Sequence, residues 1–146
     1  MPLVVATLQN ALQTLFEAPP ATEVECAQQW ASAIGTYTAP IFPPSTSVAA
    51  AQSALAASLV GFGAENAFGA VTDTALAAFA ATLGAGMLPT YTAVPPPSPP
   101  SLALVTAAPQ DTAAAAAQLI ATAIDTWMRT GTATLVAPPF TPVVWT

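Results

Sequence analysis

The sequence predicts a mainly α-helical fold: a compact bundle of about five helices, with Pro-rich extended segments and a short C-terminal β-hairpin or extended tail. Three observations carry this. Apolar residues recur at three-to-four spacing in several stretches, the mark of a helix with one buried face. Pro pairs separate those stretches at Pro19-Pro20, Pro43-Pro44, Pro95 to Pro100 and Pro138-Pro139, where a helix cannot continue. Ala runs supply high helix propensity between them. At 146 residues the chain is the usual size of one domain. Residues 1–131 read as a helical domain that includes a Pro-rich connector at 88–108, and residues 132–146 as the tail or hairpin.

The first helix is expected from about Leu3 to Glu17, with Val5, Leu8, Leu12 and Leu15 on one stripe and Pro2 ahead of it. The second runs from about Glu23 to Thr38, because Thr22-Glu23-Val24-Glu25 has the form of a capping box, with a hydroxyl at the N-cap and Glu at N3. Its stripe is Val24, Ala27, Ala31 and Ile34, flanked by Trp30 and Tyr37. Ser45-Thr46-Ser47 offers the next N-cap, and Val48, Ala51, Leu55, Leu59 and Phe62 follow on one face before Gly61 and Gly63. A fourth helix, from about Asn66 to Leu83, carries Phe68, Val71, Ala75, Phe79 and Leu83 and stops at Gly84 and Gly86. The third and fourth should form a helical hairpin. The run Val94-Pro95-Pro96-Pro97-Ser98-Pro99-Pro100 reads as a stiff spacer lying along the helices rather than a ligand for another domain. The fifth helix opens at Asp111 or Thr112, gathers Ala113 to Ala117, and aligns Ala117, Ile120, Ile124 and Trp127. Arg129 falls in its last turn, where a cation suits the helix dipole, and Gly131 stops it. Thr132 to Val136 and Thr141 to Trp145 are β-branched on either side of Pro138-Pro139.

One internal echo crosses this pattern. Ala27-Gln28, Ala31, Ala33-Ile34, Thr36 and Tyr37 recur 90 positions later as Ala117-Gln118, Ala121, Ala123-Ile124, Thr126 and Trp127. If it reflects a repeated unit, the second and fifth helices play equivalent packing roles; chance similarity between Ala-rich segments is the alternative.

Charged residues make up 5% of the chain and the net charge is −6, with one basic residue and no His. Nucleic acid draws most of its affinity from Lys and Arg on phosphates, so DNA and RNA are excluded as direct partners. Interfacial helices carry a basic polar face, which argues against anionic membranes. Mean hydropathy is +0.61, but no window of 18 residues is solidly Leu, Ile, Val or Phe, so no membrane span is expected. Nor is a secretory signal, since no Lys or Arg precedes the first apolar residues.

Without His or Lys, Ser-His and Cys-His pairs cannot be assembled, and no zinc set exists. The expectation is no enzyme, no cofactor, no metal and no catalytic residue. Glu23 with Glu25, and Asp73 with Glu65, are the only carboxylate pairs worth weighing, and the first pair suits a helix N-terminus better than acid–base work. Cys26 has no internal partner, and acids nearby disfavour its thiolate. Arg129 should pair with Asp125 one turn before it, or with an acid on a neighbouring subunit. Phe140, Val143, Val144 and Trp145 complete the interface candidates, because apolar residues in so late a segment ask for cover, and strand edges pair readily with another chain.

Gln29-Trp30-Ala31-Ser32-Ala33-Ile34 leading to a Pro-Pro-Ser turn, Ala-rich helices ending in Gly84-Ala85-Gly86-Met87, and the run Ala123-Ile124-Asp125-Thr126-Trp127-Met128-Arg129-Thr130-Gly131-Thr132-Ala133 resemble small structural proteins of tailed-bacteriophage virions. The likeness spans Cys26 to Ala133. It implies a many-copy particle component of the capsid, neck, tail or baseplate, made in the host cytoplasm and packed against itself and other virion proteins. A second class is a secreted or surface helical interaction protein, similar to Ala-rich export substrates of actinobacteria. Those carry a Trp-x-Gly turn, and here Trp30 is followed by Ala31-Ser32.

Overall fold

The computed structural model describes residues 2–61 and 68–146, and 56% of the described residues are helical. Helices α1 (Val5–Glu17), α2 (Glu23–Thr38), α3 (Val48–Ser58) and α4 (Phe68–Ala85) are followed by strand β1 (Tyr91–Val94). Helix α5 (Leu102–Val105), helix α6 (Ala113–Met128) and strands β2 (Thr132–Leu135) and β3 (Pro142–Val144) complete the order. Each helix packs on the next in sequence, and α6 returns to α1, closing a ring around one core. The mainly helical expectation holds.

Local chemistry explains most boundaries. Thr22 Oγ1 accepts the Glu25 N–H at 3.2 Å, so the predicted cap of α2 forms, and Thr112 does the same for α6 with the Ala115 N–H at 3.1 Å. Leu8, Leu12 and Leu15 of α1 are buried as their spacing requires. Val24 is not: it is exposed, and Trp30 and Tyr37 take the buried face of α2 instead. Ser45-Thr46-Ser47 works differently from the expected cap. Ser45 and Thr46 donate to the Leu83 and Gly86 carbonyls at 2.7 and 3.1 Å, so these hydroxyls satisfy orphan acceptors at the C-terminal end of α4 and tie it to the start of α3. Helix α3 ends at Ser58, short of Phe62, with Gly61 beyond it in a left-handed conformation (φ 97°). Phe62, Gly63, Glu65 and Asn66 lie outside the described residues.

Counted with its alanines, α4 is long and apolar enough to cross a membrane: 18 residues, mean hydropathy 1.3. That departs from the expectation drawn from Leu, Ile, Val and Phe alone. Here Leu76, Phe79 and Leu83 of α4 lie in the core of the bundle.

The 88–108 connector is more than a spacer. It contributes β1, the edge of an antiparallel sheet of order β1-β2-β3, with Tyr91 opposite Leu135 and Val94 opposite Thr132. It also contributes α5, whose Leu102 N–H is held by Asp73 Oδ1 at 3.0 Å. Gly69 lets α5 approach α4 closely, since a methyl there would collide with the Ala103 backbone. The Pro run between them does lie along a helix: the Trp127 indole N–H of α6 donates to the Ser98 carbonyl.

The sequence echo has a structural counterpart. Helices α2 and α6 have the same length and the same Thr N-cap, offset by 90 residues at both ends. Every buried residue of α6, namely Ala117, Ile120, Ala121, Ile124, Trp127 and Met128, has a buried counterpart 90 positions earlier in Ala27, Trp30, Ala31, Ile34, Tyr37 and Thr38. The two helices bury one and the same face, and both pack on α1.

Candidate functional site

Two surfaces stand out. The first is a groove of about 800 Å³ between the outward face of α6 and the Pro97 to Pro100 strap. Its α6 wall alternates Leu119 and Ala123 with Gln118, Thr122 and Thr126. Its far wall is Pro97, Ser98, Pro99, Pro100 and Val105, and Trp127 also lines it. Among the described residues that line it, none is charged. The groove owes its place to α6 being buried on one side only and to prolines that hold the opposite wall extended.

The second surface is the outer face of the sheet. Alternation along the strands turns Tyr91, Ala93, Ala133 and Val143 inward and leaves Thr92, Val94, Thr132, Thr134, Pro142 and Val144 exposed. Val94, Thr132 and Val144 share one cross-strand row, and Thr92, Thr134 and Pro142 the next. Val94 is 60% exposed, Val144 55% and nearby Phe140 57%, all apolar side chains on an uncharged face.

The five sequence-derived interface residues separate here. Phe140 and Val144 are at the surface, and Val143 packs partly against the core. Trp145 is corrected: sequence places it against a partner, yet it is fully buried in its own chain, between Gly131 and Gly84. The tail is a hairpin folded back on the domain. The Trp145 N–H donates to the Gly131 carbonyl at 2.9 Å, and Phe42 and Thr146 exchange backbone bonds at 2.8 and 3.0 Å. A ladder and an indole-sized hole in the same fold account for the apolar ending that sequence alone left uncovered.

Arg129 has the partner expected within its own helix. Its Nε and Nη2 donate to Asp125 at 2.8 and 3.0 Å, and Nη2 also reaches the Leu3 carbonyl at 2.8 Å. Tyr37 adds a third donor, its hydroxyl lying 2.6 Å from Asp125 Oδ1. This network fastens α2, α6 and the segment before α1. Burial, then the hydrogen bond and charge of Asp125, push the Tyr37 phenol far above its ordinary range. The bond to Asp125 raises the Arg129 guanidinium further.

The candidate carboxylates are placed apart from one another in function. Glu23 accepts the Gly61 N–H at 2.7 Å, and Asp73 serves Leu102 as described; Glu65 is outside the described residues. Burial and then the Glu23 charge raise the Cys26 thiol. Among the described residues no group of three or more His, Cys, Asp or Glu lies together that could hold a metal. Sequence reasoning passed over the groove. Its signal was present as a second stripe on α6, Ala115, Leu119, Thr122 and Thr126, outside the one chosen for the core.

Fold and surfaces together define a mainly helical bundle with a small antiparallel sheet whose exposed strand side chains carry no charge. In comparisons with known proteins the chain matches no family model, no curated protein and no solved structure.

Proposed function

We propose that this chain is a non-enzymatic structural subunit of a tailed-bacteriophage virion, acting through packing against copies of itself and other virion proteins. The observation that supports it is the uncharged, part-apolar outer face of the sheet, on a molecule whose net charge is −6 with one basic residue. Exposed Val94 and Val144 on a face without charge suit a contact surface, and scarce charge leaves little to hold copies apart. The side chains there, Thr and Val in rows, are the sort that pack flat against a partner without any ion to desolvate.

The reading is tested by light scattering across a concentration series, joined to mass spectrometry of purified phage particles from infected cultures. Association that grows with concentration, and the chain's peptides at many copies per particle, are expected. A chain that stays monomeric at high concentration and is missing from particles sinks the reading. Its recovery instead from culture supernatant or cell surface would transfer it to the class of exported interaction proteins.

A further inference from the structure

We infer that the last strand is exchanged between copies: in an associated pair, β3 and Trp145 of each copy leave their own domain and fill the same place in the other, with residues 137–141 as the hinge. This rests on the self-packing reading above and names the contact through which it is made. The receiving site is one whose occupant is already visible. Trp145 is fully buried, with Gly131 and Gly84 against its ring. Its N–H donates to the Gly131 carbonyl at 2.9 Å, and Thr146 exchanges backbone bonds with Phe42. Every one of these contacts lies beyond the hinge, so a second copy supplies them unchanged. What differs between the closed and the exchanged chain is the hinge itself.

The hinge disfavours the closed form. Among the described residues, Ser101 and Phe140 are the residues other than Gly with positive φ, and Phe140 holds 55°. A bulky side chain in that region is strained. The turn is closed by this same residue, whose N–H donates to the Ala137 carbonyl at 3.0 Å. Pro138, Pro139 and Pro142 surround it, and a proline biases the residue before it toward extended backbone. Opening the turn brings Phe140 into the extended region and relieves both hinges of a pair, the condition under which short loops give way to exchange. Plain addition of a strand to the sheet is disfavoured at either edge. On the β3 side Pro142 has no N–H to give and Thr146 is already bonded to Phe42. On the β1 side the Tyr91 N–H is taken by the Met87 carbonyl at 3.0 Å, and Pro95 follows the strand. A copy therefore joins the sheet by replacing β3 and not by lengthening it. The Phe140 ring, 57% exposed in the closed chain, gains cover where the two hinges pass each other at the twofold axis.

A disulfide placed inside the ladder tests this. Ala133 of β2 and Val143 of β3 are opposite each other on the core side of the sheet, out of reach of a copy packed on the outer face. Opposed residues of an antiparallel pair lie about 4.5–5.5 Å apart at Cα, within the range a disulfide spans. In a Cys26→Ser background carrying Ala133→Cys and Val143→Cys, monomer and dimer fractions are separated by size exclusion and then oxidised. The monomer fraction is expected to close an intrachain disulfide, and the dimer fraction to run as a covalent dimer on a non-reducing gel. Intrachain disulfides alone in the dimer fraction overturn the exchange and leave the structural-subunit reading standing. A chain that is monomeric at every concentration removes both. The hinge gives a second readout should the cysteine variant fail to fold. Phe140→Gly and Phe140→Ala both delete the ring, but only Gly takes up φ 55° without strain. Exchange therefore predicts dimerisation at least about tenfold weaker in Phe140→Gly than in Phe140→Ala. Equal or stronger dimerisation of Phe140→Gly overturns the proposal, because a contact made through the ring alone loses as much in either variant.

Discussion

A methyl group added at Gly131 would lie 2.5 Å from Cδ2 of Trp145, so this glycine is required by a ring fourteen positions later in the chain and not only as a helix stop. Gly131→Ala should cost about 1–3 kcal/mol, since overpacking a rigid ring moves backbone; urea denaturation measures it. Asp125 is a second residue whose work is tertiary, accepting from Tyr37 and Arg129 together. Tyr37→Phe removes a hydrogen bond to a charged group and should cost about 2 kcal/mol at neutral pH. Because the folded state holds the phenol proton above its ordinary value near 10, that contribution is fully present below pH 10. It is lost as pH rises beyond it, where the unfolded chain releases the proton and the folded one keeps it. Denaturation between pH 9 and 11 should show a falling stability in the parent chain and a shallower fall in Tyr37→Phe.

Among elements, the hairpin of β2 and β3 carries the clearest consequence. Trp145→Ala empties a fully buried site and should cost about 3–5 kcal/mol. Trp145→Phe should cost far less than that, because the indole N–H is buried with no partner among the described residues and its removal relieves an unsatisfied donor. Deleting Phe140 to Thr146 takes away β3, the Trp145 ring and the backbone bridge to Phe42. Collapse of the isolated fold is therefore expected, in place of the loss of assembly alone that the sequence suggests. Helical circular dichroism and melting of the truncated chain distinguish the two. Helices α2 and α6 show the opposite economy, one buried pattern used twice around α1.

At the scale of the molecule, an uncharged sheet face and an uncharged groove sit on a chain with one base. Val94→Lys and Val144→Lys add charge at side chains that are more than half exposed, so stability should change by no more than about 0.5 kcal/mol. Association through that face should weaken all the same. Sedimentation at increasing concentration, paired with thermal melts, would show whether the two effects separate. A parallel loss of stability would mean that the face is part of the fold and not a contact surface.

Sequence by itself determined the local features: the Thr22 cap, the stripes Leu8-Leu12-Leu15 and Ala117-Ile120-Ile124-Trp127, and the spacing of the Asp125–Arg129 pair, while the choice of Thr112 over Asp111 as the cap of α6 came from the structure. Each depends on neighbours within about two turns, where spacing alone reveals the partner. Only the tertiary structure decided that Tyr91–Val94 is a strand, since its ladder partner, Thr132–Leu135, is some forty positions away. It likewise decided that Ser45 serves Leu83 and that Trp145 fills the space beside Gly131. The groove belongs to the same group: a polar-apolar stripe on a helix reads as solvent-facing until the chain lays its own prolines opposite. Long-range pairing rests on shape and on unsatisfied backbone groups brought together by folding, and these leave no periodic trace in the chain.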